Sequence, residues 1–201
     1  MSKQRSNPES DIHPILAQRW SPRAFDATRP VEKDKLLACL EAARWAPSCF
    51  GDEPWRYIVC NKSADATAWQ RLLDCLAPKN QEWAKNAPVL MLACANTVFR
   101  QNGNSNRWAQ YDTGAASISL CLQAESLGLA THQMGGFDAD KARTSFNIPE
   151  QVTPMAAIAV GYQAEAELLD EGFRAVELAE RKRQPLSECF FAGKWGVSIS
   201  K

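Results

Sequence analysis

Between Glu32 and Trp45 the apolar residues Leu36, Leu37, Leu40 and Ala43 recur at helical spacing. Glu32 and Asp34 suit the positive end of a helix dipole and Pro47 stops the run, so the pattern predicts an amphipathic helix. Trp55–Cys60 alternates large residues and predicts a strand, Ala64–Cys75 predicts a helix, and the unbroken apolar run Val89–Ala95 predicts a strand covered on both faces. From Asp112 to Leu127, Gly114, Ala115, Ala116, Ser117, Ser119 and Ala124 are interleaved with apolar residues, without a strong polar face. Such a helix is expected to be buried almost all round and is a candidate packing spine for a dimer. Gly128 ends it; a strand over Leu129–Met134, a helix over Asp138–Phe146 and a strand over Met155–Val160 follow.

A sheet with helices on it accounts for this order, and no repeat or low-complexity segment interrupts it. Residues 1–11 are polar and expected to be flexible, leaving 12–201 as a single domain. Gln163–Glu180 is acidic and lacks a strand pattern, and the chain then swings to Arg181-Lys182-Arg183. The tail from about 185 to 201, with Cys189-Phe-Phe-Ala-Gly-Lys-Trp195, is too apolar to float freely and is expected to pack on a partner subunit.

Charge and cysteine usage narrow the class. Lys plus Arg (23) equals Asp plus Glu (23), so no field of one sign recruits nucleic acid or an anionic membrane. The cysteines at 39, 49, 60, 75, 94, 121 and 189 are odd in number and scattered, and His13 and His132 are the only histidines. Structural zinc is therefore not expected. Unpaired cysteines suit a reducing compartment, the N-terminal stretch lacks the apolar core of a signal peptide, and no apolar run is long enough to span a bilayer. The expectation is a soluble, cytoplasmic protein.

Five short elements carry candidate chemistry: Arg19-Trp-Ser-Pro-Arg-Ala-Phe25, Ala46-Pro-Ser-Cys-Phe-Gly-Asp-Glu-Pro-Trp-Arg56, Asn80-Gln-Glu-Trp-Ala-Lys-Asn-Ala-Pro88, Gln133-Met-Gly-Gly-Phe-Asp138 and Arg181-Lys-Arg-Gln-Pro-Leu-Ser-Glu188. Taken singly, each also reads as something ordinary: solvated arginines beside a turn, a helix-to-strand turn with a packed tryptophan, a helix cap, a loop, a basic surface run. Taken in order, they resemble the nitroreductase family of FMN-dependent oxidoreductases from Arg19 to Glu188. The resemblance implies an α+β fold, a mainly antiparallel sheet flanked by helices, in an intertwined homodimer with two FMN sites at the interface.

By position, the resemblance assigns Arg19, Ser21 and Arg23 to the cofactor. Pro47, Ser48, Cys49 and Gly51 fall in a loop that reaches the flavin of the other subunit, although Gly51 stands where the family usually has asparagine and Glu53 where it has glutamine. Asn80 takes the pyrimidine edge, Gly135 presents its backbone N–H to the reactive N5, Gly136 shares the close-approach turn, and Arg181 and Arg183 bind the phosphate. A phosphorylated, planar cofactor needs cations at its phosphate, donors where negative charge gathers on reduction and an open ring face, so these residue types fit the task.

The implied reaction is ping-pong: NADH or NADPH reduces FMN, then a small-molecule acceptor, a nitroaromatic, quinone or similar electron-poor compound, takes the electrons. No catalytic side chain or metal is needed, and no Gly-x-Gly-x-x-Gly turn offers a Rossmann site. Relatives that dehalogenate, fragment flavin or dehydrogenate peptides remain open, as does a flavin-binding redox-sensing module. A cysteine nucleophile at Cys49 with His132 as base is a third possibility.

Overall fold

The computed structural model describes residues 8–199. In chain order the elements are α1 (Pro14–Gln18), α2 (Lys33–Arg44), β1 (Trp55–Asn61), α3 (Ala66–Leu73), α4 (Pro78–Ala84), β2 (Val89–Asn96), α5 (Ala109–Ser126), β3 (Ala130–Met134), α6 (Ala139–Phe146), β4 (Val152–Gly161), α7 (Glu171–Leu178) and α8 (Leu186–Cys189). The four strands form one sheet in the order β1-β2-β4-β3, antiparallel throughout. The fold is therefore α+β with an antiparallel sheet, as expected.

Helices cover both faces of the central pair, β2 and β4, which explains why β2 reads as an unbroken apolar run. On one face Leu90, Leu92, Cys94, Ala157 and Ala159 pack with Trp69 and Leu72 of α3, Trp83 of α4 and Phe25. On the other, Val89, Met91, Ala93, Ile158 and Val160 pack with Leu36, Cys39 and Ala43 of α2 and Ala116, Leu120 and Ala124 of α5. The helices stop and start where local chemistry requires it. Asp65 and Asp138 cap α3 and α6 by accepting from the amides of Ala68 and Lys141, both at 2.9 Å. Asn147 ends α6 in the left-handed conformation, and the Arg143 guanidinium donates to the Ile148, Pro149 and Val152 carbonyls just beyond.

Three differences from the sequence expectations are informative. β4 begins three residues before Met155 and includes Pro154, which pairs opposite Cys94 where the register shifts between Ala93 and Cys94. That irregularity lets a central strand tolerate a residue without an N–H. α5 is not buried all round: Tyr111 is 76% exposed, and Trp108 and Ile118 are also exposed on the outward side of the helix. The acidic stretch contains a true helix, α7. Of the polar N-terminal stretch, residues 1–7 lie outside the described residues, while 8–11 are exposed and form no regular element.

Ala24–Asp26 runs beside the chain leaving β4: Asp26 N donates to Tyr162 O, Ala164 N to Ala24 O, and Phe25 bridges Gln163. This short ladder fixes where the Arg19–Phe25 motif enters the body of the protein. Phe25 stacks on Trp83 with ring centroids 6.2 Å apart, and Trp83 meets His132 of β3 at 4.5 Å. His132 Nδ1 lies 2.9 Å from the Pro22 carbonyl. A carbonyl only accepts, so Nδ1 carries the proton in the neutral ring.

Burial is the main cause that holds the His132 imidazolium pKa down to about 4, with the nearby Arg23 charge adding to it and the Pro22 carbonyl opposing. A histidine with a folded pKa below its unfolded value of about 6.5 contributes stability that is complete above that value and is lost as pH falls. Between pH 6.5 and 4.5 the protein is expected to lose about 2 kcal/mol from this group. Urea unfolding of wild type and His132→Phe across that window checks it: the variant should lose about that much less stability than wild type, and an unchanged slope would refute the assignment.

Candidate functional site

Three chain segments far apart in sequence meet at a pocket of about 250 Å³ lined by Arg19, Trp20, Ser21, Arg23, His132, Val176, Arg181 and Arg183. Five of the residues singled out in the sequence are thus neighbours: Arg19, Ser21 and Arg23 from the first motif, Arg181 and Arg183 from the last. Four guanidinium groups share the lining, and no carboxylate is part of it among the described residues. Arg181 donates from Nη1 to the carbonyls of Ala17 and Arg19, at 2.9 and 3.2 Å. Its Nε is buried and lacks a hydrogen-bond partner among the described residues. Burial first, then the charges of Arg183 and Arg19, pull the Arg181 pKa below its ordinary value.

A cationic pocket with a buried donor left open is fitted to an anion, since an unmet buried donor costs roughly 1–3 kcal/mol. Its volume is below the ~300–1,000 Å³ of a whole small-molecule site, so it suits a phosphoryl group rather than a ring system. The residues present therefore fit the phosphate end of a flavin mononucleotide. Arg19, Arg181 and Arg183 also line an adjoining cleft of about 460 Å³ beside Ile12, Leu16 and Leu186.

At the far end of β3 the chain turns through Gly135-Gly136. Asn80 at α4 donates from Nδ2 to the Gly136 carbonyl at 2.9 Å, and a Cβ on Gly136 would come within 2.8 Å of that same nitrogen. The third and fourth motifs are thus one local unit, and a side chain at Gly136 would push the Asn80 amide out of this bond. Both glycines open on a cavity of about 480 Å³. From His132 to Gly135 is three residues of extended chain, roughly 10 Å.

The second motif lies elsewhere in the subunit. Pro47 and Ser48 follow α2, and Cys49–Gly51 form a single 3-10 turn that contributes to none of these cavities. The Cys49 amide donates to Asp112 Oδ2 at 3.0 Å, and Ser48 Oγ accepts from the Glu53 amide at 3.0 Å. Phe50, Gly51 and Glu53 all have positive φ, at 54°, 64° and 50°. Asparagine and glycine are the residues most tolerant of this region, so Gly51 adopts it without strain and brings no side-chain amide. The turn is held by Asp52, whose buried carboxylate accepts from the Arg100 amide at 2.8 Å and from Asn106 Nδ2 at 3.2 Å. This leaves Phe50, 83% exposed, projecting from a constrained loop.

Asp52 and Glu177 are the functional-site supports that the sequence reading missed. Glu177 is 2% exposed and accepts from the amides of Arg23 and Ala24. As one glutamate in an acidic run it carries no local signal. The cysteine alternative gains no support: Cys49 is tied to α5, whereas His132 is tied to Pro22 and set at a tilt against Trp83. Burial pushes the Cys39, Cys60 and Cys94 thiols up to about 11, so these are neutral core groups. No helix among the described residues is long and apolar enough to cross a membrane.

Comparison with known proteins agrees with this arrangement. A crystal structure described as an oxidoreductase containing FMN superposes with a TM-score of 0.90 at 32% identity, covering 98% of this chain and all (100%) of that one. A nitroreductase family protein from Clostridium difficile 630 superposes with a TM-score of 0.69 at 26% identity, covering 90% of this chain and 96% of that one. A Methanothermobacter thermautotrophicus protein, provisionally named NADH dehydrogenase/NAD(P)H nitroreductase, is 29% identical over 161 residues, 77% of this chain and 78% of its own. The model of the nitroreductase family matches residues 16–162, well over half of the chain. With motif order, antiparallel fold and family match all coinciding, the chain belongs to the nitroreductase family.

Proposed function

We propose that this protein is a homodimeric, cytoplasmic FMN-dependent oxidoreductase that uses NADH or NADPH to reduce a small electron-poor acceptor, a nitroaromatic or a quinone, by a ping-pong sequence. The observation that carries the reading is the four-arginine pocket with the buried, open Arg181 Nε, set roughly 10 Å along β3 from the Gly135-Gly136 turn. Family membership and the FMN-containing relative support it. FMN, when bound, supplies the electron transfer itself, accepting a hydride from reduced nicotinamide and passing the electrons to the acceptor.

The chain's own residues bind and orient. Arg19, Arg181 and Arg183, with the Ser21 hydroxyl, hold the phosphate, and Arg23 adds positive charge beside them. The Gly135 amide and Asn80 face the ring edge, with Gly136 keeping the turn close. The loop of Pro47, Ser48, Cys49 and Gly51 serves the partner's site, which accounts for its distance from the arginine pocket of its own subunit. Phe50 would then project toward that site.

The dimer is supported by apolar surface left open on one chain. Trp108, Tyr111 and Ile118 face outward on α5. The tail after Pro185 carries Phe190, Trp195 (87% exposed), Val197 and Ile199; its start is tied back by the Leu186 amide, which donates to Glu9 Oε1 at 3.0 Å, and its end packs on itself through the Phe191–Trp195 ring pair at 4.9 Å. Residues 200 and 201 of that tail lie outside the described residues.

Steady-state kinetics test the reaction. Varying NADPH or NADH against a quinone and a nitroaromatic should give parallel double-reciprocal lines; no nicotinamide oxidation with any acceptor would overturn the reading. Charge-assisted contacts of about 1.5–3 kcal/mol predict that Arg183→Ala weakens FMN by about 10- to 100-fold, with a smaller loss in Arg19→Ala. Flavin fluorescence titration reads both, and a double variant that copurifies with full FMN would remove the phosphate assignment.

A further inference from the structure

Residues 17–24 cross the protein edge with little help from regular structure, and three distant side chains supply partners for their backbone. Arg181 donates to the carbonyls of Ala17 and Arg19, and His132 donates to that of Pro22. Glu177 accepts from the Arg23 amide at 3.0 and 2.9 Å through both oxygens, and from the Ala24 amide at 3.1 Å, across 153 residues of sequence. Its carboxylate is buried, and the segment it grips carries four of the pocket's residues, Arg19, Trp20, Ser21 and Arg23. Arg181 and Arg183 follow α7 directly.

We propose that Glu177 is a positioning residue for the anion pocket: by binding the Arg23 and Ala24 amides it sets the turn that aims Ser21 and Arg23, and it joins the two halves of the pocket. This rests on the FMN reading above. The carboxylate touches backbone rather than ligand, so its effect on the cofactor passes through the shape of residues 21–24. A buried carboxylate in this place also offsets part of the charge of the surrounding arginines, which lowers the cost of gathering them before the anion arrives. Glutamine at this position keeps the volume but replaces one accepting oxygen with a donor facing the Arg23 amide.

The test compares two ligands that differ only in the phosphate. FMN and riboflavin are titrated into the flavin-stripped full-length protein, wild type and Glu177→Gln, below the unfolding temperature of each. The expected result is an FMN Kd raised at least tenfold with the riboflavin Kd changed less than twofold. Equal weakening of both ligands, or of neither, would overturn the positioning role. Glu177→Asp, which keeps the charge but withdraws it by one methylene, should show the same phosphate-selective loss to a smaller degree, and it carries the comparison if the glutamine variant fails to fold. Wild type that binds FMN no more tightly than riboflavin would instead overturn the cofactor reading, and that is seen before any variant is made.

Discussion

Between the end of α1 and the short ladder that begins at Ala24, the backbone of residues 19–23 belongs to no helix or strand, and side chains brought from β3 and from the segment around α7 meet several of its polar groups. A buried amide without a partner costs about as much as a lost hydrogen bond, which makes these contacts obligatory rather than decorative. Glu177, Arg181 and His132 meet that requirement. In doing so they bring the first and last motifs of the chain to one pocket. Folding thus assembles the pocket as a consequence of satisfying the backbone between α1 and the ladder at Ala24.

The same arrangement concentrates charge. Arg19, Arg23, Arg181 and Arg183 line about 250 Å³, and Arg181 is partly withdrawn from water. Mutual repulsion and desolvation leave the pocket under electrostatic stress that a doubly charged anion relieves. Any ligand that binds only the folded form stabilises it by mass action, so cofactor and fold are thermodynamically linked. On the function proposed above the flavin carries the chemistry, and the chain's contribution is a cationic end, a close backbone turn at Gly135-Gly136 and apolar surface open to a second subunit.

The sheet and its main helices were legible because their patterns are local. β2 is apolar throughout since both its faces are covered, and α2 shows its buried stripe at helical spacing. The extent of β4 was less legible, because Pro154 argues against a strand until the register shift opposite it is known. α7 was hidden in an acidic run whose meaning depends on amides more than 150 residues away. For the candidate site, the arginines and glycines were visible as motifs, and the structure gathers four of the arginines with Ser21 at one pocket and pairs Asn80 with Gly136. Gly51 as a replacement for asparagine became intelligible only from its positive φ. Glu177 and Asp52 carried no sequence signal, since a buried carboxylate that binds backbone looks the same in sequence as one in water.

The most direct test of the account is the visible absorption spectrum of the purified protein, recorded anaerobically before and after NADPH or NADH. The account predicts flavin bands that bleach on addition of either nucleotide. A colourless protein that FMN cannot reconstitute would contradict it.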